Sequence, residues 1–218
     1  MESRRSYLKR TGVVLLSLAV SSTTAIASTT KDKKHKQPAM IIDTNRCMGC
    51  QSCIIACKEQ NKTPKGFFVT TVTKQSHGTY PSAWHSYKPS LCHHCEDAPC
   101  LNACVPKATF PLDSGIIVVD WEHCIGCGAC VQACPYDARF QDPTNQNKVD
   151  KCDFCATLLE KGLEPACVET CPSSARIFGD LAHPQGEFAT YLAMLKAENI
   201  DALQKPKERI LYTTVQKG

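Results

Sequence analysis

The stretch Cys124-Ile-Gly-Cys127-Gly-Ala-Cys130-Val-Gln-Ala-Cys134-Pro135 sets the reading of the whole chain. Three cysteines stand two residues apart, a fourth follows after three more, and a proline comes next. In a tight loop this spacing lets three thiolates point into one small volume. The fourth, as a helix begins, faces a different one. The arrangement recurs. Cys47-x2-Cys50-x2-Cys53-x3-Cys57 precedes it, as does Cys92-x2-Cys95-x4-Cys100-x3-Cys104; Cys152-x2-Cys155-x11-Cys167-x3-Cys171-Pro172 follows. All sixteen cysteines of the 218 residues fall into these four groups of four, so the chain is an internal repeat.

The third group matches the bacterial C-x2-C-x2-C-x3-C-P run, which ligates cubane iron–sulfur clusters. Gly49, Gly126 and Gly128 stand between ligands, where a backbone curling around a cluster gains from having no Cβ. Pro135 and Pro172 stiffen the chain after the fourth cysteine. Three other uses of cysteine compete. Disulfides suit an even count in an exported chain, but cysteines two apart pair poorly with each other. Structural zinc takes separated C-x2-C pairs or mixes in histidine. Haem attachment needs C-x2-C-H, and Cys92-His-His-Cys95 is followed by Glu96. His93, His94 and His123 lie beside ligands and read as neighbours or surface residues, with hydrogen bonding to cluster sulfur as a tuning use.

The formal charge of +4, with 21% charged residues, excludes a polycationic nucleic-acid coat. With cysteine counted among the 43% hydrophobic residues, the apolar core is thin, and bound metal must organise much of the fold. No glycine-rich dinucleotide loop, phosphate loop or spaced acid–base pair occurs, so the chain reads as no enzyme on its own.

Residues 1–27 read as a signal peptide: a charged start, a short apolar run from Gly12 to Val20, and a small-residue exit at Ala25-Ile-Ala27. Ser3-Arg-Arg-Ser-Tyr-Leu-Lys9 is similar to the twin-arginine export signal, with Tyr7 where Phe is usual. That route moves folded proteins, which suits clusters built in a reducing cytosol. Loss of residues 1–27 removes Arg4, Arg5, Lys9 and Arg10 against Glu2 and leaves the +4 chain at +1. Four loaded sites at about −2 each bring it to roughly −7. Residues 28–38 read as a basic flexible linker.

Short strands are expected at residues 39–43, 67–73, 115–120 and 175–178. Helices are expected at 52–59, 129–133 and 188–197. Residues 77–89, with three aromatics and two prolines, read as an ordered loop, packed over a cluster or facing a partner. The fold class is α+β, two intertwined bacterial 2[4Fe–4S] ferredoxin-like units over residues 39–180, with a helix and tail at 181–218.

The shared residues include Asp43-Thr-Asn-Arg-Cys-Met-Gly-Cys-Gln-Ser-Cys53, Leu91-Cys-His-His-Cys-Glu-Asp-Ala-Pro-Cys100, Cys130-Val-Gln-Ala-Cys-Pro-Tyr-Asp-Ala-Arg-Phe140, Asp150-Lys-Cys-Asp-Phe-Cys155 and Pro165-Ala-Cys-Val-Glu169. On these the chain resembles the four-cluster iron–sulfur subunits of molybdopterin enzymes of the dimethyl-sulfoxide-reductase type. Among them it is most similar to the exported tetrathionate-reductase type and to the periplasmic ferredoxins of nitrite reduction. The resemblance implies four [4Fe–4S] clusters with nested ligation. Cluster 1 would take Cys47, Cys50, Cys53 and Cys171; cluster 2 would take Cys57, Cys152, Cys155 and Cys167. Cluster 3 would take Cys92, Cys95, Cys100 and Cys134, and cluster 4 Cys104, Cys124, Cys127 and Cys130. It also implies electron transfer between an NrfD-like membrane quinol subunit and a molybdopterin catalytic subunit of sulfur-oxyanion type. The site would be periplasmic, with the inner membrane reached through a partner. A multihaem nitrite or sulfite reductase is the alternative acceptor. A disulfide- or zinc-stabilised exported interaction protein is the alternative of a different class.

Overall fold

A computed structural model of the chain describes residues 36–197 and 208–213. The signal segment 1–27, most of the linker and the tail beyond residue 213 lie outside the described residues. The elements run β1 (Pro38–Ile42), α1 (Ser52–Asn61), β2 (Thr71–His77), β3 (Trp84–Ser90), α2 (Pro99–Asn102), β4 (Thr109–Pro111) and β5 (Ile117–Val119). There follow α3 (Ala129–Gln132), β6 (Arg139–Asp142), β7 (Lys148–Lys151), α4 (Ala156–Leu159), α5 (Ala166–Glu169), β8 (Arg176–Asp180), α6 (Gly186–Ala197) and β9 (Ile210–Tyr212). This small mixed helix and strand content is α+β.

Strand β1 is buried along its whole length. A strand covered on both faces needs apolar side chains at every position rather than alternate ones, and Ala39-Met-Ile-Ile supplies them. It is the centre of a three-stranded sheet, antiparallel to β8 with Ile41 opposite Ile177, and parallel to β9 with Met40 opposite Ile210. Helix α6 lays Phe188, Leu192 and Leu195 on this sheet, the spacing of one helical face. With Ala39, Ile41, Ile177 and Leu211 they form a core that contains no cysteine.

Elsewhere the core is built around thiols. Cys53, Cys57, Cys92, Cys152 and Cys167 lie among Met40, Ile42, Leu91 and Phe154. Cys100 and Cys130 lie with Ala98, Ile117 and Val149. Three antiparallel hairpins, β2–β3, β4–β5 and β6–β7, surround these regions. Helix α1 packs on α5, and α2 on α3. Cysteine group one is thereby set beside group four, and group two beside group three. Among the described residues no helix is long and apolar enough to cross a membrane.

Three local expectations change. Residues 77–89 are not a loop: β3 pairs with β2 from Thr71 opposite Ser90 to His77 opposite Trp84, and only the residues between form the turn. The aromatic run at 67–68 precedes the strand, which starts at Thr71. Phe67 stacks on Phe140 with ring centroids 5.2 Å apart, and the Lys58 ammonium lies over the Phe68 ring. Finally, the third cysteine of each group lies in the first turn of a helix, and of the fourth cysteines Cys57 alone is carried within one, further along α1. Cys53, Cys100, Cys130 and Cys167 lie within α1, α2, α3 and α5, whereas Cys104, Cys134 and Cys171 follow the helix ends.

Candidate iron–sulfur centres

The ligand loops owe their curl to glycine at two equivalent positions. Gly49 and Gly126 both hold positive φ, 71° and 68°, a conformation that costs other residues about 1–2 kcal/mol. Both also lie against a covering hairpin. A Cβ on Gly49 would strike the Tyr87 ring of β3, and one on Gly126 would stand 2.9 Å from the carbonyl oxygens of Gln146 and Asn147 in the β6–β7 turn. The Gln141 amide donates to the Gly126 carbonyl at 2.7 Å, pinning that loop to its hairpin.

Cys47, Cys50, Cys53 and Cys171 line one cavity, closed by Val72 and Pro89 of the first hairpin. The other cysteines are linked by the fields they exert on one another. Burial foremost, then the charges of Cys167 and Cys155, pushes Cys57 up to about 12. Cys152 is raised by burial, then by Cys167 and Cys57. Cys95 is pushed to about 12 by burial, then by Glu208, Cys92 and Cys100. Cys100 is raised by burial against the opposing pull of Arg139, with Cys92 and Cys134 adding to it. Cys130 is raised by burial, with Cys104 and Cys124 adding to it. Two fields cross between sets: Cys53 acts on Cys167, and Cys92 on Cys152. No disulfide joins any of the sixteen cysteines.

Two buried arginines reach these sulfurs. Arg176 is 3% exposed; its guanidinium donates to Cys167 Sγ at 3.6 Å, Cys53 Sγ at 3.5 Å and Thr70 Oγ1 at 2.9 Å. Arg139 is 4% exposed; it donates to Cys100 Sγ at 3.0 Å and Thr109 Oγ1 at 3.2 Å, and its charge pulls down the Cys130 thiol that burial raises. Other donors point at sulfur as well. They are the Asn61 amide to Cys57 at 3.2 Å, the Phe154 N–H to Cys152 at 3.4 Å, and the Ala175 N–H to Cys171 at 3.3 Å.

These residues fit an anionic polysulfur guest. Arg139 Nε, Arg176 Nε and His94 Nε2 are buried without a hydrogen-bond partner. Leaving a buried donor unpaired costs about 1–3 kcal/mol. His94 Nδ1 accepts the Ile117 N–H at 3.0 Å, so its remaining proton sits on Nε2. Burial, reinforced by Lys151, Arg209 and Arg139, keeps that ring neutral. Thr63 Oγ1 is the fourth such atom among the described residues; the two arginine nitrogens belong to guanidiniums that reach sulfur.

The three histidines separate. His94 is fully buried; His123 is on the surface, 2.7 Å from Asp120. His93 is buried and stacks on Tyr136 with centroids 3.7 Å apart, and its Nδ1 stands 2.6 Å from Glu208 Oε2. Sequence reasoning passed over Arg139 and Arg176. The signal was there, since Cys134-Pro-Tyr-Asp-Ala-Arg139 and Cys171-Pro-Ser-Ser-Ala-Arg176 are one motif written twice.

Cysteines gathered in four groups, one set lining a cavity, a thin apolar core and sulfur-directed donors mark an iron–sulfur protein. Known proteins agree. Residues 83–181 match the family described as the 4Fe-4S dicluster domain, and residues 44–60 a 4Fe-4S binding domain. A tetrathionate reductase subunit of Salmonella typhimurium is 41% identical over 212 residues, covering 90% of this chain and 84% of the relative. Protein NrfC of Escherichia coli is 37% identical over 193 residues (87% and 85%). A polysulfide reductase subunit of Wolinella succinogenes is 41% identical over 161 residues (72% and 84%). The chain belongs to this family of 4Fe–4S iron–sulfur subunits of reductases. It binds multiple [4Fe–4S] clusters and carries electrons instead of performing catalysis itself.

Proposed function

We propose that the chain conducts electrons through four [4Fe–4S] clusters between a membrane quinol-oxidising subunit and a molybdopterin catalytic subunit of sulfur-oxyanion type. Cys47, Cys50, Cys53 and Cys171 hold the first cluster, and Cys57, Cys152, Cys155 and Cys167 the second. Cys92, Cys95, Cys100 and Cys134 hold the third, and Cys104, Cys124, Cys127 and Cys130 the fourth. The cavity lined by the first four is the observation that carries this reading, supported by fields running mostly within each set. The nested helix contacts support two intertwined double-cluster units.

Held by its four cysteines, each cluster would supply one-electron uptake and release, with no bond to substrate forming or breaking. The protein sets the potentials. Thiolate charge lowers them, N–H donors to sulfur offset it, and burial adds its own shift. The crossings from Cys53 to Cys167 and from Cys92 to Cys152, and the reach of Arg139 from Cys100 to Cys130, support the order one–two–three–four. The twin-arginine motif in residues 1–27 supports a periplasmic complex, bound to the inner membrane through its partner. Likeness to the tetrathionate and polysulfide reductase subunits favours a molybdopterin partner. Likeness to Protein NrfC favours the second reading, a multihaem acceptor.

Anaerobically purified protein should contain about 16 iron atoms and as much acid-labile sulfide per chain, four sites of four; iron near zero with zinc present ends the proposal. Affinity capture of the native complex decides the acceptor, a large molybdopterin chain against a multihaem one. Cys134→Ser tests the ligation: the third cluster should be disturbed and the fourth spared, and the reverse would refute the nesting.

A further inference from the structure

A buried guanidinium needs a counter-charge. Removing one from water costs several kcal/mol unless an anion and hydrogen bonds receive it. Among the described residues neither Arg139 nor Arg176 lies within ion-pair distance of a carboxylate. What receives them is sulfur, and the sulfur comes from two sets at once. Arg176 donates to Cys53 and to Cys167; Arg139 donates to Cys100 and acts on Cys130. Each also gives one bond to a threonine hydroxyl, Thr70 or Thr109. Each is the first residue of a strand, β8 or β6, five positions after the cysteine of a Cys-Pro pair. Lys151, the third buried cation nearby, differs: its ammonium donates to the carbonyls of Ile117 and Cys152, not to a thiol.

We propose that Arg176 and Arg139 are twin charge bridges, each placed between the two clusters of one unit and raising the reduction potential of both together. The proposal rests on the cluster ligation given above. The physics is Coulombic. An added electron is attracted to a fixed cation, the more so where water is excluded. A cation shared by two sites moves both the same way, so the step between them stays shallow. An arginine present only to hold the Thr70 or Thr109 loop would leave the potentials alone. These are positioning and tuning residues; they touch ligand sulfur and react with nothing.

The test uses the full chain, purified anaerobically with its clusters, and reads iron per chain and each cluster's midpoint potential by electron paramagnetic resonance during reductive titration. Arg176→Gln should keep its iron and lower two potentials. Arg139→Gln should lower the other two, so that the two sets are complementary. Full iron content with no shift, or a shift in one cluster alone, overturns the proposal. Arg176→Lys keeps the charge and loses the fork. It decides the matter even if the glutamine variant fails to assemble: intact clusters near parental potentials support the bridge, and potentials lowered despite the retained charge overturn it. A parent protein without iron would instead defeat the cluster reading beneath it.

Discussion

The imidazole of His94 stacks on the ring of Phe154 with centroids 4.2 Å apart, and both side chains are fully buried. His94 stands between Cys92 and Cys95, Phe154 between Cys152 and Cys155. Both hold positive φ, 47° and 56°. The two C-x2-C loops of groups two and four therefore meet through their third residues. The Phe154 ring meets Phe178 of the central sheet edge-on, with centroids 5.5 Å apart. One aromatic column joins both ligand loops to β8.

Phe154→Ala empties the middle of that column. Truncating a buried Phe costs about 3–5 kcal/mol. For a chain of this size each kcal/mol moves Tm by about 2–4 °C, so the loaded protein should melt roughly 10 °C lower by anaerobic calorimetry at fixed scan rate. A change below about 2 °C would mean that the contact contributes little.

Gly126→Ala and Gly66→Ala separate strain from collision. Both glycines have positive φ, 68° and 88°. A Cβ at Gly66 meets nothing within 4 Å, whereas one at Gly126 meets two backbone oxygens at 2.9 Å. The Gly66 variant should lose about 1 kcal/mol and keep all its iron. The Gly126 variant should lose more stability and part of its iron, read by metal analysis. Equal behaviour would show that the hairpin yields freely.

Asp43 gives a pH dependence of definite sign. Burial alone would raise its carboxyl, but donors outweigh that and hold it below the usual value. They are the Tyr191 hydroxyl at 2.7 Å, the Asn45 and Arg46 amides at 2.9 and 3.2 Å, and the Thr213 hydroxyl at 3.2 Å. A depressed folded-state pKa gives stability that is present above the unfolded value of about 3.9 and lost as pH falls below it. Asp43→Asn should therefore be less stable than the parent by about 1–2 kcal/mol at neutral pH. The gap should narrow as pH falls below about 3.9 and through the lower folded-state pKa. Taking the difference cancels the acid lability of the clusters, and a gap independent of pH would assign the effect to shape alone.

Stripping the iron should divide the molecule. The cores holding Cys53, Cys92, Cys152, Cys100 and Cys130 lose the guest that organises them, while the core of Ile41, Ile177, Phe188, Leu192 and Leu211 contains no cysteine. Hydrogen exchange on the chelator-treated protein should keep protection in β1, β8 and α6 and lose it across residues 92–134. Uniform loss would show that the sheet depends on the clusters too.

Legibility followed charge and period. The four cysteine groups, β1, β5, β8, α1, α3 and α6 could be read, because ligand spacing and apolar runs are local signals. Strand β3 could not: Trp84-His-Ser-Tyr-Lys-Pro-Ser90 carries a proline and a polar surface, so only its pairing partner reveals it. Strands β6 and β7, Arg-Phe-Gln-Asp and Lys-Val-Asp-Lys, are charged where a strand is expected to be apolar. Arg139, Arg176 and Lys151 look like solvent residues, since what makes their burial tolerable is the thiolates and carbonyls brought to them by distant segments.

Strand β9 seals one edge of β1, and its neighbour Arg209 donates its N–H to the His93 carbonyl while Glu208 meets His93 and Tyr136. The ribosome delivers residues 208–213 after every cysteine has emerged. The latch over the ligand loops is therefore written downstream of every cysteine it covers, and closing it joins the two ends of the described fold.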